Sequence, residues 1–255
     1  MSIKLINTNE LIDYKRENTL SSLAKIFFLL AILLFLPQTI LSFLFGVVFG
    51  FWQEEGFTTN AFKAWSMSIS VLLTVSLLSP LLTIPLLIKV TKAEDWSERF
   101  DFWAVKVMCV SKVAKWLAVG VAFWLFSSYT GELLKLPEEQ IMLDIKIARN
   151  SVGMGILIFT TICLVVPIME ELVFRGWLFS KVAQTKLGST GAIVLTSLIF
   201  TIIHSQYEQS ITFIMLFLFS LLLGYARYKS NNISYSILIH IIFNSLALIL
   251  LFSQP

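Results

Sequence analysis

The chain has 255 residues, of which 57% are hydrophobic and only 14% are charged, and its mean hydropathy is +0.83. Soluble domains are roughly 45–50% apolar and about 25% charged, so this composition excludes a soluble globular protein and indicates an integral membrane protein. The formal net charge of +3 comes from basic residues between the apolar stretches, where membrane topology explains them. We therefore expect the lipid bilayer, and no nucleic acid, as a partner.

Apolar stretches along the chain predict an all-α, polytopic bundle of about seven transmembrane helices, within a range of six to eight. A span needs about 20 mostly apolar residues. The candidate spans are 26–52, 65–88, 113–129, 152–180, 189–204, 211–226 and 233–252. Pro37 in the first stretch, and Pro80 and Pro85 in the second, should bend those two helices because proline removes a backbone donor.

The segments outside these stretches predict the remaining organisation. The N-terminal tail contains no short apolar run and no small-residue cleavage site, so we expect no signal peptide. Residues 92–116 mix aromatic and aliphatic side chains with lysines and predict an amphipathic helix on the cytoplasmic face. Residues 1–112 then comprise the tail, two spans and this interfacial segment, and residues 113–255 comprise the other five spans.

The distribution of Lys and Arg predicts the orientation. If the seven stretches all cross the membrane, 15 of the 19 Lys and Arg residues fall on the side of the N-terminus. The other side holds Lys63, Lys135, Lys146 and Arg149. Because basic loops stay in the cytoplasm, we expect a cytoplasmic N-terminus and an outside C-terminus, in a bacterial cell membrane.

A doubled glutamate interrupts the fourth stretch. Ionisable groups are costly inside a membrane, so they are functional candidates by default. On a helix Glu171 and Arg175 share a face, and we expect a supporting pair with arginine as a bidentate partner. Glu170 points about 100° away from Glu171 and lacks a helical partner, which makes it a candidate general base. The alternative is that these charges only cap a span at the interface.

The two histidines of the chain both lie downstream of Glu170. Phe200 and His204 are one helical turn apart, so the supporting phenyl ring can shield the imidazole from water. His240 and Asn244 share a face of the last span and could act on one small target. Taken alone, either histidine could be a polar residue that bridges helices.

A carboxylate, two imidazoles and an amide in an apolar bundle suit hydrolysis of a peptide bond. Glu170, helped by His204, would take a proton from water, while His240 and Asn244 would donate hydrogen bonds to the oxyanion. In a second version Glu170, His204 and His240 bind Zn²⁺ and leave a water position open; the metal would lower the pKa of that water toward about 7. Both versions use the same residues.

The span boundaries pose a problem for this cluster. Straight spans would place His204 near the outer end of its helix, whereas Glu170 and His240 lie toward the cytoplasmic side. We therefore expect either a fifth span that begins deeper in the membrane, or a loop over 205–210 that folds inward.

The three elements resemble the signature of the CPBP family of intramembrane proteases, also called the Abi or CAAX-protease-and-bacteriocin-processing family. The family motifs E-E-x-x-x-R, F-x-x-x-H and H-x-x-x-N or D all match, as Glu170-Glu171-x-x-x-Arg175, Phe200-x-x-x-His204 and His240-x-x-x-Asn244. The resemblance covers a core at about 150–250. It implies a helical membrane fold, endopeptidase activity on a membrane-associated protein or peptide, like that of the Ras-converting CAAX endopeptidase, and Glu170 as the catalytic glutamate. The resemblance is compatible with either a metal-dependent or a metal-free reaction. Members of the family have roles in bacteriocin processing and self-immunity, so such a role is expected here as well.

Other classes of protein fit less well. The chain has no H-E-x-x-H, Gly-x-Ser-Gly or Gly-x-Gly-Asp motif, which excludes three other kinds of intramembrane protease. A proton- or cation-coupled transporter is the main alternative, because carboxylate–histidine sets also mark ion paths, but no internal repeat favours it. A non-catalytic immunity or scaffold protein is the third possibility.

Overall fold

The regular structure is helical throughout the described part of the chain, residues 19–52 and 58–253 of a computed structural model. The helices are α1 (Thr19–Trp52), α2 (Thr59–Ser66), α3 (Ile69–Leu78), α4 (Pro80–Thr91), α5 (Trp96–Trp103), α6 (Val110–Leu133), α7 (Gln140–Ala148), α8 (Val152–Ala183), α9 (Gly188–Ile203), α10 (Ser210–Ser230) and α11 (Ile233–Ser253). The predicted all-α, polytopic bundle is confirmed. The absence of a signal peptide was predicted from the N-terminal tail. Most of that tail lies outside the described residues.

Six stretches of the described helices are long and apolar enough to cross a membrane. They are α1, the consecutive pair α3 and α4, α6, α8, α10 and α11. The chain is therefore an integral membrane protein. The fifth predicted span, α9, has only 16 residues, or about 24 Å of helix, which is short of a hydrocarbon core about 30 Å thick. The orientation of the termini stays a prediction.

The second span is broken where the sequence places Pro80. A proline at this position cannot donate to the carbonyl of Ser76, four residues earlier. The hydroxyl of Ser79 donates to that carbonyl instead, at 3.0 Å, so the break leaves this backbone group satisfied. Pro37 and Pro85 lie inside α1 and α4, and both helices continue past them.

The amphipathic helix predicted over 92–116 is wrong. The structure has the short helix α5, an irregular segment over 104–109, and then the start of α6. Ala104 ends α5 in a left-handed conformation with a φ of 53°. The irregular backbone is held by the start of α11, since the Asn232 amide donates to the Lys106 carbonyl at 3.0 Å and the Tyr235 hydroxyl accepts from the Cys109 amide at 2.7 Å. Tertiary hydrogen bonds thus replace the helix that the pattern favoured.

Small residues allow the helices around α8 to pack closely. Without a hydrophobic driving force in lipid, membrane helices associate through such close contacts. A Cβ atom at Gly224 of α10 would lie 3.2 Å from the Ile193 side chain of α9, and one at Gly120 of α6 would lie 3.2 Å from the Ile239 side chain of α11. The second contact is next to His240, so it helps to fix the position of that residue.

Candidate active site

The two glutamates lie in a short α-helical part of α8, Val166–Glu171, between two π-helical segments. The π-helical segments are Thr160–Val165 and Leu172–Leu178. Such wide turns are rare in helices and are frequent at functional sites. The Glu171 side chain is fully buried, whereas the Glu170 side chain is 20% exposed. Adjacent residues of one helix therefore place their carboxylates in two different environments.

Glu171 belongs to a buried network that joins α8, α10 and α11. Its Oε1 lies 3.0 Å from Nη1 of Arg175, so the predicted pairing is confirmed. The pair is not bidentate, because Nη2 of Arg175 donates to the Ser220 hydroxyl at 2.6 Å and to the Ser220 carbonyl at 3.2 Å. The guanidinium also lies over the Phe200 ring, 4.6 Å from its centroid. The two buried charges are thus paired with each other and with polar and aromatic groups of α10 and α9.

The same oxygen of Glu171 also binds His240. Nδ1 of His240 lies 3.0 Å from Oε1 of Glu171, and because an ionised carboxylate only accepts hydrogen bonds, we assign the proton to Nδ1. Nε2 of His240 is then directed to the other glutamate, 3.7 Å from Oε2 of Glu170. The pairing of Glu171 with His240 was not expected from the sequence, because no helical spacing relates them.

His204 reaches Glu170 from the other side. Its Nδ1 lies 2.6 Å from the Phe200 carbonyl, which can only accept, so this nitrogen carries the proton as well. Its Nε2 lies 3.6 Å from Oε1 of Glu170. The Phe200 ring packs on the imidazole with centroids 4.4 Å apart. Each oxygen of the Glu170 carboxylate therefore faces one imidazole.

The problem of depth is resolved by the turn between α8 and α9. Glu170 lies 13 residues before the end of α8 at Ala183, and His204 lies 16 residues after the start of α9 at Gly188. At about 1.5 Å per residue, the two side chains are about 20 and 24 Å from the same turn. They meet because α9 is short. The deeper start of the fifth span and the inward loop over 205–210 stay predictions.

The spacing of Asn244 from His240 predicts that both side chains act on one target, but the Asn244 amide instead contacts the backbone of α8. Its Nδ2 donates to the carbonyl of Ile162 at 2.9 Å, within the first π-helical segment of α8. A side chain from α11 thus satisfies backbone where the α-helical pattern is interrupted. The amide is one turn from His240 and has a second hydrogen on the same nitrogen.

A cavity of about 260 Å³ adjoins Glu170 and His204. This volume has room for several water molecules, which take about 30 Å³ each in the liquid. Its wall combines apolar side chains of α1 and α8 with hydroxyl groups of the broken second span, from Ser76, Ser79 and Thr83. The cavity gives the Glu170 carboxylate access to a small polar reactant.

The donor types around Glu170, one carboxylate and two imidazoles, are ones that zinc sites use. Histidine ligands are usually oriented by a hydrogen bond from the other ring nitrogen to a carboxylate or a carbonyl, as His240 and His204 are here. A tetrahedral zinc ion with bonds of about 2.0–2.1 Å would hold its ligand atoms about 3.3 Å apart, slightly closer than the separations of 3.6 and 3.7 Å. However, among the described residues no group of three or more His, Cys, Asp or Glu side chains is placed so that it could hold a metal ion.

Sequence reasoning missed two residues of α10 that support the site. Ser220 binds Arg175, and the Phe219 ring lies against the His240 ring with centroids 5.4 Å apart. A polar residue in the apolar run FIMLFLFSLLLG was a usable signal for Ser220. No pattern distinguishes Phe219 from the other aromatic residues of this helix.

Tyr207, in the loop after α9, was also missed. Its ring is parallel to the His204 ring within 7°, with centroids 6.4 Å apart. Burial, together with the nearby Glu170 and Glu139 carboxylates, raises the pKa of Tyr207 to about 12. The phenol therefore stays protonated beside the imidazole.

Two comparisons with known proteins found similarity to part of the chain. Residues 152–246 match the family model described as Type II CAAX prenyl endopeptidase Rce1-like. An uncharacterised 24.3 kDa protein of Escherichia coli is 34% identical over 122 residues, which are 47% of this chain. The match spans only about half, 55%, of that curated relative. No solved structure matches significantly.

The matched region contains both glutamates, both histidines and Asn244, so the geometry and the family model concern the same residues. Residues 152–246, just over a third of the chain, are similar to the Rce1-like family of type II CAAX prenyl endopeptidases.

Proposed function

We propose that this protein is an intramembrane endopeptidase that hydrolyses a peptide bond with water activated by Glu170 and His204. One observation carries the proposal: the two oxygens of a partly exposed carboxylate each face an imidazole Nε2, at 3.6 and 3.7 Å, beside a cavity that can hold water. A carboxylate and imidazoles placed in this way are suited to general acid–base catalysis.

In this reaction Glu170 takes a proton from water, helped by His204, and the resulting hydroxide attacks the carbonyl carbon of the scissile bond. The electron pair of the C=O double bond moves to the oxygen, which His240 and Asn244 stabilise with hydrogen bonds. Glu170 then returns its proton to the amide nitrogen as the C–N bond breaks. The products are a carboxylic acid and an amine, so atoms and charge balance.

The role of His240 depends on its protonation. Its Nδ1 proton is committed to Glu171, so Nε2 can donate to an oxyanion only from the imidazolium form. In a zinc-dependent version, Nε2 would instead be a neutral ligand.

If zinc takes part, Glu170, His204 and His240 would hold it, and the ion would supply Lewis acidity and lower the pKa of its bound water. The substrate class in either version is a membrane-associated protein or peptide. Processing of peptides, or self-immunity to a bacteriocin, is the corresponding biological role. We further propose a bacterial cell membrane with the N-terminus in the cytoplasm and the C-terminus outside.

The direct test is cleavage of a panel of membrane-tethered peptides by the purified protein in lipid nanodiscs. Glu170→Gln should lower kcat by about 10²–10⁴-fold, because general base catalysis contributes that much. His204→Ala should lower it in the same direction. Glu132→Gln, which removes an exposed carboxylate of α6, serves as the matched control and should cleave normally. Undiminished cleavage by Glu170→Gln would refute the mechanism.

Metal dependence is tested by a chelator series in the same assay. Loss of cleavage that zinc restores, together with zinc bound to the wild type but not to His240→Ala by elemental analysis, would establish the metal version. Cleavage that survives exhaustive chelation would establish the metal-free version.

A further inference from the structure

Glu139 is a nearly buried carboxylate, 8% exposed, that no motif in the sequence singles out. It precedes α7, yet its side chain makes no capping hydrogen bond to that helix. Instead the carboxylate reaches the loop between α9 and α10. Oε2 accepts from the amide of Glu208 at 2.8 Å, and Oε1 accepts from the amide of Gln209 at 3.3 Å.

The start of α10 explains why a carboxylate is suited to this place. Gln209 is the N-cap residue of α10, and its side chain makes no capping hydrogen bond. The first amides of a helix have no helical acceptor, and this end of a helix favours negative charge. The Gln209 side chain is used elsewhere, since its Nε2 donates to the carbonyl of Pro137 at 2.7 Å. Three hydrogen bonds therefore tie the loop to residues 137–139.

The tied loop carries His204 at its other end. His204 is the first residue after α9 and leaves the helical conformation with a ψ of 42°. The Tyr207 amide donates to the His204 carbonyl at 3.3 Å, and the two rings are parallel. The backbone around the imidazole is thus held by α9 on one side and by the Glu139 contacts on the other.

We infer that Glu139 is a positioning residue for His204, whose hold on the loop over 204–209 keeps the imidazole directed at Glu170. The inference rests on the proposed function, since it assigns a task in the same reaction. The Glu139 carboxylate binds backbone amides and acts on the reaction only through the loop. Its removal should therefore change turnover more than substrate binding.

The kinetic test compares Glu139→Gln with Glu138→Gln, which replaces the adjacent, exposed glutamate. In Glu139→Gln, kcat for a cleaved peptide should fall by up to about 10-fold, the lower end of the cost of losing a direct hydrogen-bond partner of a metal-binding histidine, because Glu139 acts on His204 only through the loop. KM should change less than about twofold, because Glu139 is not expected to affect how tightly the peptide substrate binds. Glu138→Gln should match the wild type in both constants. Equal constants in Glu139→Gln and the wild type would overturn the inference.

Hydrogen–deuterium exchange supplies a readout that does not depend on activity. The peptide covering 204–212 should exchange faster in Glu139→Gln than in Glu138→Gln or the wild type, while peptides of α8 exchange at wild-type rates. Unchanged exchange over 204–212 would overturn the inference even if kcat falls. If Glu139→Gln does not fold, Gln209→Ala, which removes the contact to Pro137, should give smaller changes of the same kind, and wild-type behaviour would count against the proposal.

The two proposals fail in different ways. If the wild type cleaves no peptide, the proposed function fails, and the exchange data alone decide whether Glu139 holds the loop. If the wild type cleaves and Glu139→Gln is unaffected, only the role of Glu139 fails.

Discussion

The two faces of α8 around the glutamate pair differ in what surrounds them. On one face Glu171 and Arg175 are fully buried and contact Ser220, Phe200 and His240. On the other face Glu170 is partly exposed beside a cavity, with its oxygens 3.6 and 3.7 Å from two imidazoles. Identical side chains one residue apart are thus suited to different tasks, one to holding helices together and one to reacting.

The largest effect is expected when each glutamate is replaced in turn and the stabilities of the two variants are compared. Glu171→Gln removes the charge that neutralises Arg175 in the interior, which should destabilise the fold by about 3–5 kcal/mol. Thermal denaturation in nanodiscs should show this loss, whereas the adjacent change Glu170→Gln should leave the melting temperature nearly unchanged. Equal melting temperatures for the two variants would show that Glu171 does not contribute more to stability than Glu170.

A smaller effect is expected at Ser220. Ser220→Ala removes the hydroxyl that accepts from Arg175 at 2.6 Å but leaves the backbone carbonyl of the same residue as an acceptor. We expect a loss of about 1–3 kcal/mol in the free energy of unfolding. Ser210→Ala, at the exposed start of the same helix, is the control. A stability loss at Ser210 as large as that at Ser220 would show that the buried network is not the cause.

The smallest effect is expected at Gly120 on α6. Gly120→Ala brings a Cβ to 3.2 Å from Ile239, next to His240. The strain, about 1–3 kcal/mol, is partly offset by the better helix propensity of alanine, about 1 kcal/mol, so the main expected result is a modest fall in kcat.

Gly131→Ala in the same helix is the matched control, since a Cβ there meets no atom within 4 Å. That variant should be slightly more stable and fully active. A fall in kcat for Gly131→Ala equal to that for Gly120→Ala would contradict the role of the contact with Ile239.

The sequence predicted the helical class and the cluster of Glu170, His204 and His240 because both depend on strong signals. Long apolar stretches have few alternatives to helices in a membrane, and ionisable groups inside such stretches are rare. Helical spacing also predicted the contact of Glu171 with Arg175. That last inference uses only the periodicity of one helix.

Contacts between helices could not be predicted in this way. The bond from His240 to Glu171 joins residues 69 positions apart, and the contact of Glu139 with Gln209 spans 70 positions. The helix predicted over 92–116 failed for the same reason, since Asn232 and Tyr235 hold its central part in an irregular conformation. Packing geometry decides such contacts, and a single sequence does not encode it in a readable pattern.

The oxygen that Glu171 shares between Arg175 and His240 limits how this protein can be engineered. In other proteins, replacing a buried ion pair with apolar side chains of similar volume is often neutral or stabilising. Here that replacement would also remove the acceptor that fixes the His240 ring. A search for thermostable variants would therefore favour apolar substitutions here, which preserve the fold but disrupt the proposed site. Selection for stability alone would then act against the proposed activity.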